Sequence, residues 1–219
     1  MRWVTFDCFG TLVDWHAGFA AILKPIVGNR GPEVMRAYHR FERLLELETP
    51  HLPYKDVLAT SLFRAAGEVG IRLSESQARA LPQRWATLPV FEDVEPMLAG
   101  LRAMGCHLAV LTNCDDDLFE QTERSFEFPF DLVVTAERVR DYKPSLSHFR
   151  YFARSSGVKD SDWIHVACSW YHDIAPARTF GIKSIWLDRD HTGEDPATAS
   201  AHVQSASQVC EAVKKWKPS

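Results

Sequence analysis

Arg2-Trp3-Val4-Thr5-Phe6-Asp7-Cys8-Phe9-Gly10-Thr11-Leu12-Val13-Asp14 is the stretch that decides the fold of this 219-residue chain. Residues 2–6 form a short run that stops at a carboxylate, and Gly10-Thr11 supplies the turn that follows. A strand ending this way presents Asp7 at its carboxyl end, the edge at which open α/β sheets bind ligands. Further short runs appear at His107–Thr112, residues 131–135, Trp163–Ala167 and Lys183–Leu187. Most are continuously apolar, as parallel strands covered on both faces tend to be. Between them apolar residues recur at helical spacing: Val94, Leu98 and Leu101; Leu146, Phe149 and Ala153. Val209, Val213 and Trp216 do so behind a Ser205–Gln208 capping box. The alternation predicts an α/β fold, a Rossmann-like three-layer parallel sheet.

The region between Asp14 and Pro89 breaks that alternation. It holds no convincing strand, only helical patterns: Val34, Tyr38, Phe41, Leu45; Leu58, Leu62, Ala65, Val69; Ala78, Leu81, Trp85, Leu88. Ser74 and Gln77 form a further capping box, and residues 28–32, 49–53 and 70–74 supply the breaks. Such a length is too great for one crossover helix. It predicts a helical cap at 15–89, set as a lid over the sheet edge, on a core made of 1–14 and 90–219.

Hydrophobic residues are 46% and charged residues 25%, which suits a globular protein. The formal net charge of -4 argues against broad nucleic-acid binding, which needs a dense basic face. Arg36, Arg40 and Arg43 interleave with Glu33, Glu42 and Glu46, which reads as a solvated helix face. No stretch approaches a membrane span, and Asp7 interrupts the apolar run that a secretory signal would need. The five cysteines are scattered without a CxxC pair and read as reduced thiols in a cytoplasmic protein.

Four polar clusters stand where strands should end: Asp7 with Gly10 and Thr11; Thr112 with Asn113; Lys143; and Ser169 through Asp173. Asp7-Cys8-Phe9-Gly10-Thr11, Leu111-Thr112-Asn113, Tyr142-Lys143-Pro144 and His172-Asp173 resemble, in order, the four motifs of the haloacid dehalogenase-like (HAD) superfamily. The helical insert lies where that superfamily carries its cap. The resemblance covers essentially the whole chain and implies a site between core and cap. It makes Asp7 the nucleophile, Thr11 a donor to it, Thr112 with Asn113 the second motif, Lys143 its charge partner, and Asp173 the fourth-motif carboxylate.

Departures from the phosphatase pattern bear on the substrate. HAD phosphatases carry a general-acid aspartate two residues after the nucleophile, and Phe9 stands there. An alkoxide usually needs a proton to depart; a halide does not. Cys168 occupies the early fourth-motif position at which magnesium-dependent members often have an acid, and magnesium prefers oxygen ligands. No metal and no other cofactor is therefore expected. Phe9-Gly10-Thr11 is similar to the aromatic-Gly-Thr signature of type II L-2-haloacid dehalogenases. That resemblance implies attack of Asp7 on C2 of a short 2-haloalkanoate, then hydrolysis of the resulting ester by water held by Asp173, with His172 a second candidate.

Phe9, His39, Arg40, Trp170 and His172 are the expected substrate contacts. The branch uses a cap arginine near the halogen and carboxylate; ungapped comparison places His39 there, with Arg40 adjacent. A one-residue shift turns a helical side chain by about 100°, so both cannot take one role. Arg40 is preferred for its fixed charge and forked donors, against a surface role beside Glu33 or Glu42. Trp170 and Phe149 stand where the dehalogenases carry asparagine and tyrosine. His172 can equally cap the helix beginning near Asp173, and the remaining histidines, His165 among them, receive no role. The expected partner is a small molecule, without nucleic acid or membrane, and a homodimer is allowed. The competing readings are a magnesium-dependent HAD phosphatase and a catalytically silent HAD-fold binding protein.

Overall fold

The computed structural model describes residues 2–216. Five strands carry the core: β1 (Trp3–Phe6), β2 (His107–Thr112), β3 (Leu132–Thr135), β4 (Trp163–Ala167) and β5 (Lys183–Leu187). A short sixth, β6 (Ala201–Val203), completes a parallel sheet of order β3-β2-β1-β4-β5-β6. β1 is flanked by β2 and β4, with Phe6 opposite both Val110 and Val166. The chain reverses its direction of travel across the sheet at β1. That is the switch point at which side chains beyond the strand ends find an open crevice.

Residue alternation along the strands divides the core into two layers. Val4, Phe6, Leu108, Val110, Ile164 and Val166 pack with α6 (Val94–Ala103), α7 (Asp116–Glu123) and α11 (Val209–Lys215). Ala109, Leu111, Val134 and Trp163 pack instead with α9 (Ser147–Ser156) and α10 (Ala175–Phe180). A period of two places Thr5 and Asp7 on this second side. The polar chain that supports the site lies on the same side.

The connection from β1 to α6 is helical: α1 (Trp15–Val27), α2 (Gly31–Glu46), α3 (Tyr54–Glu68) and two single turns, α4 (Glu75–Ala78) and α5 (Ala80–Gln83). Asp14 caps α1, accepting from the Ala17 amide, and both halves of the Ser74–Gln77 capping box are formed. α2 buries Val34, Ala37, Tyr38 and Leu45 as one stripe. This segment leaves and returns side by side, with Val13 bridged to Val90 and backbone bonds from Asp14 to Pro89 and from Phe91 to Leu12. Its last predicted stripe is not one helix: Trp85 falls in a 3-10 turn after α5. α8 (Ala136–Val139) follows β3 directly. No helix among the described residues is long and apolar enough to cross a membrane.

Gly10 is held to glycine by both its backbone angle and its neighbour. Its φ is +94°, and a Cβ there would lie 2.7 Å from Cys168 Sγ. The loop after β1 thus lies directly against the loop after β4. Gly10→Ala is expected to cost about 1–3 kcal/mol from backbone strain, with the steric clash added, read as a lowered urea midpoint.

Candidate active site

Asp7 leaves β1 with its amide bonded to Val166 O at 3.0 Å, so sheet pairing itself fixes the base of the carboxylate. Thr11 Oγ1 donates to Asp7 Oδ2 at 2.8 Å and accepts the Cys168 amide at 2.8 Å. Lys143 Nζ donates to Asp7 Oδ1 at 2.8 Å, to Leu111 O at 2.9 Å and to Asp173 Oδ1 at 2.7 Å. An ammonium has three hydrogens, and all are spent. Asp7 is 7% exposed, Lys143 1% and Asp173 0%.

Burial alone would pull the lysine toward neutrality, but Asp173 and Asp7 outweigh it and hold its pKa above the ordinary value. Burial would likewise raise the Asp173 pKa, and Lys143 with His165 reverses the shift and holds it well below the usual carboxylate range. The Lys143 backbone is held in turn by Asn113, whose Oδ1 accepts the Lys143 amide at 2.8 Å and whose Nδ2 donates to Lys143 O at 3.1 Å. Asn113 therefore positions the lysine.

Behind Asp173 runs a polar chain that the sequence reading passed over. Trp163 Nε1 donates to Thr5 Oγ1 at 2.8 Å, and Thr5 Oγ1 lies 2.8 Å from His165 Nδ1. In a neutral ring the Thr5 hydroxyl then donates to Nδ1, leaving Nε2–H to donate to Asp173 Oδ1 at 3.0 Å. His165 thus orients Asp173 from inside the sheet. Phe149, wholly buried, packs edge-on against this ring at 5.1 Å and does not reach the cavity. Asp173 Oδ2 has no hydrogen-bond partner among the described residues.

A cavity of about 400 Å³ opens above these groups. Asp7, Phe9, Thr112, Asn113, Lys143, Trp170, His172 and Asp173 line it from the core side, and His39 lines it from α2. The Thr112 hydroxyl is buried and donates to Cys114 Sγ. Phe9 meets Trp85 edge-on at 4.6 Å, giving the cavity an aromatic wall. Residues Trp170–Ile174 form a π-turn in which Ser169 Oγ accepts the His172 amide and Ser169 O accepts the amides of Asp173 and Ile174. His172 accordingly bonds Ser169 Oγ through Nδ1 at 3.0 Å while its ring borders the cavity; α10 itself begins only at Ala175. Burial holds the His172 pKa below that of a free histidine.

Arg40 is not at the site. It lies on the outer face of α2, exposed, in an ion pair with Glu68. The buried stripe Val34–Ala37–Tyr38–Leu45 fixes the rotation of the helix, and one residue beyond His39 turns the side chain away. Glu42, Arg43 and Glu46 line the cavity too, so the supposed solvated face is partly the cavity wall. Their spacing from His39, three, four and seven residues on, was the available signal.

The donor set does not fit a magnesium ion. The ammonium of Lys143 already lies between Asp7 and Asp173, and Cys168 is a thiol whose pKa burial, then Asp7, pushes well up. Among the described residues no group of three or more His, Cys, Asp and Glu is arranged to hold a metal.

A family model for haloacid dehalogenase-like hydrolases matches residues 4–187. The chain belongs to that family. Haloacetate dehalogenase H-2 of Moraxella sp. (strain B) is 22% identical over 204 residues, covering 88% of this chain and 90% of that one. Phosphoserine phosphatase of Thermus thermophilus is 28% identical over 174 residues, covering 78% and 69%. The fold matches L-2-haloacid dehalogenase from Xanthobacter autotrophicus, solved with chloropropionic acid covalently bound. The TM-score is 0.83 at 18% identity, over 99% of this chain and 100% of that one.

Two outcomes follow for this member of the family. The stabilisation from Asp173, whose pKa is depressed, is full above the unfolded carboxyl value of about 4 and disappears as pH falls below it. Asp173→Asn is therefore expected to lose about 3–5 kcal/mol at pH 7 and to show a flatter fall in urea-unfolding free energy between pH 7 and pH 3. Arg40→Ala is expected to leave turnover within about twofold, since an exposed ion pair contributes roughly 0–1 kcal/mol, whereas His39→Ala lowers it.

Proposed function

We propose that the chain hydrolyses short 2-haloalkanoic acids through an ester on Asp7, without a metal ion. The observation that carries this reading is a buried carboxylate, Asp7, bonded by the Lys143 ammonium at 2.8 Å, with Phe9 in place of a neighbouring acid. An anion stripped of water is a stronger nucleophile when fixed donors hold it in place. Thr11 and Lys143 supply those donors to its two oxygens.

The first step forms a bond from an Asp7 carboxylate oxygen to C2 while the carbon–halogen bond breaks, its electron pair leaving with the halide. A single in-line displacement inverts C2. In the second step water attacks the Asp7 carboxyl carbon, the 2-hydroxy acid departs, and the carboxylate is restored. Asp173 Oδ2, unpartnered among the described residues, is the acceptor assigned to that water, while the other oxygen is pinned by Lys143 and His165. The covalent adduct of the Xanthobacter dehalogenase supports this route by analogy. The phosphatase relative favours a rival, phosphoester hydrolysis, against which Cys168 and the ammonium between the carboxylates argue.

Halide release from 2-chloropropionate and bromoacetate with EDTA present is the direct assay. Asp7→Asn should lower it by at least about a thousandfold. In a single turnover in oxygen-18 water, the label should enter Asp7 and not the product hydroxyl, read by peptide mass. Magnesium-dependent cleavage of an aryl phosphate with no halide release would overturn the proposal.

A further inference from the structure

Two helical stripes of the cap face each other away from the site. His16, Ala20 and Leu23 of α1, and Pro32, Met35 and His39 of α2, recur at spacings of three and four residues, and an open groove of about 580 Å³ runs between them. Leu23, wholly buried, and Met35 give the groove apolar walls. Two residues line both this groove and the cavity above Asp7: Trp15, the first residue of α1, and His39 of α2. Their rings stand between the two spaces.

These rings are held in place. They meet edge-on at 5.2 Å, and the indole also meets Phe19 edge-on at 5.3 Å. Glu42 Oε2 lies 3.3 Å from His39 Nδ1, while Glu42 Oε1 accepts the hydroxyls of Tyr38 at 2.9 Å and Tyr54 at 2.8 Å. Asp14 caps α1 immediately before the indole, and its own amide is bonded to Pro89 O at 2.8 Å. The indole lies against the turn that follows Asp7: a Cβ on Gly10 would stand 3.2 Å from Trp15 Nε1.

The cavity has two kinds of wall. Phe9, Trp15, Phe19 and Trp85 make an aromatic flank, whereas Glu42, Arg43, Glu46, Asp190 and Glu194 bring charge to the remainder. An alkyl substituent at C2 is stabilised against the aromatic flank and not among the charges. Phe19 and Trp85 are 2% and 1% exposed and belong to the packed core, so a chain cannot extend past them. Past Trp15 and His39, both half-buried, lies the open groove.

We propose that the Trp15–His39 ring pair sets the upper length of the 2-haloalkanoate by closing this flank against the groove. The proposal rests on the dehalogenation proposed above. A tail that reaches the pair must turn back toward the charged walls and loses its burial. With either ring cut back, the tail runs on into the groove, and each methylene buried there raises kcat/KM about fourfold.

Halide release from 2-bromopropionate, 2-bromohexanoate and 2-bromooctanoate is to be compared for the native chain, Trp15→Ala, His39→Ala, Ala20→Trp and the Trp15→Ala/Ala20→Trp double variant. Native kcat/KM should fall from propionate to octanoate. In Trp15→Ala the octanoate-to-propionate ratio should rise about a hundredfold, roughly three or four methylenes at fourfold each, and His39→Ala should raise it too. A ratio taken within one protein does not depend on the fraction folded, so lost stability cannot imitate the effect. Ala20 lines the groove but not the cavity. Ala20→Trp alone should therefore keep the native profile, and in the double variant it should remove the gain by filling the groove. A native profile flat in chain length, a ratio unmoved in both ring variants, or a gain that survives Ala20→Trp would each overturn the role of the pair, while release from 2-bromopropionate leaves the dehalogenase reading standing. Absence of halide release from every acid by the native chain would remove both.

Discussion

One ammonium sets the geometry of the whole site. Lys143 donates at once to the nucleophile candidate at the end of β1, to a backbone carbonyl at the end of β2, and to the carboxylate beyond β4. Moving these charges out of water costs several kcal/mol each, and their mutual attraction offsets that cost only with close, well-directed bonds. Three bonds of 2.7–2.9 Å from one nitrogen satisfy that condition. Because the three acceptors come from three separate segments, the lysine can be satisfied only when the sheet is in register. Folding and site assembly are therefore the same event here. Asn113 then holds the lysine backbone, so the loop that delivers the ammonium has little freedom of its own.

The support beneath the site follows from strand alternation. Thr5 lies two residues before Asp7, so both face the α9–α10 layer, as do Trp163 and His165 two residues apart on β4. The indole, the hydroxyl and the imidazole form one directed chain that ends at Asp173 Oδ1. Apolar residues at those positions would have packed as well, but would have left the Asp173 oxygen with Lys143 alone. The polar chain exchanges some hydrophobic burial for a fixed orientation of the carboxylate. Its cost is small, because nearly every donor and acceptor along it is paired.

Much of this was legible in the sequence, and the failures have identifiable physical causes. β2, β4 and β5 were read to the residue, because burial on both faces makes a continuous apolar run with sharp ends. β6 was not read: it is a three-residue edge with only half-buried alanine and valine around an exposed His202. α1 was not singled out, since Gly18 and Pro25 interrupt its pattern; Gly18 is there because a Cβ would run into Leu88. Asp7, Thr11, Lys143 and Asp173 were found as a set because motifs preserve their order along the chain. Arg40 was misplaced because charge and donor geometry were weighed above helix phase, and the phase is set by the apolar stripe on the opposite face. His165 was missed because a histidine within a strand has no sequence signature of its role. Only the pairing of β1 with β4, which sets Thr5 opposite His165, brings them together.

The same helix phase determines the charge of the cavity. Once Tyr38 is buried, His39, Glu42 and Glu46 must follow the helix toward the core, and Arg36 and Arg40 must face away. The cap therefore brings Glu42, Glu46 and the Arg43 guanidinium, and not the Glu68-paired Arg40, to a cavity whose buried lysine is already saturated. Under the proposed reaction, an anionic substrate entering that space meets carboxyl groups and the Arg43 guanidinium side by side. Close contact then decides, because hydrogen bonds to charged groups are shorter and roughly twice as strong as neutral ones. That favours a small acid able to sit close to Asp7 over a multiply charged one, whose further negative groups would meet Glu42 and Glu46.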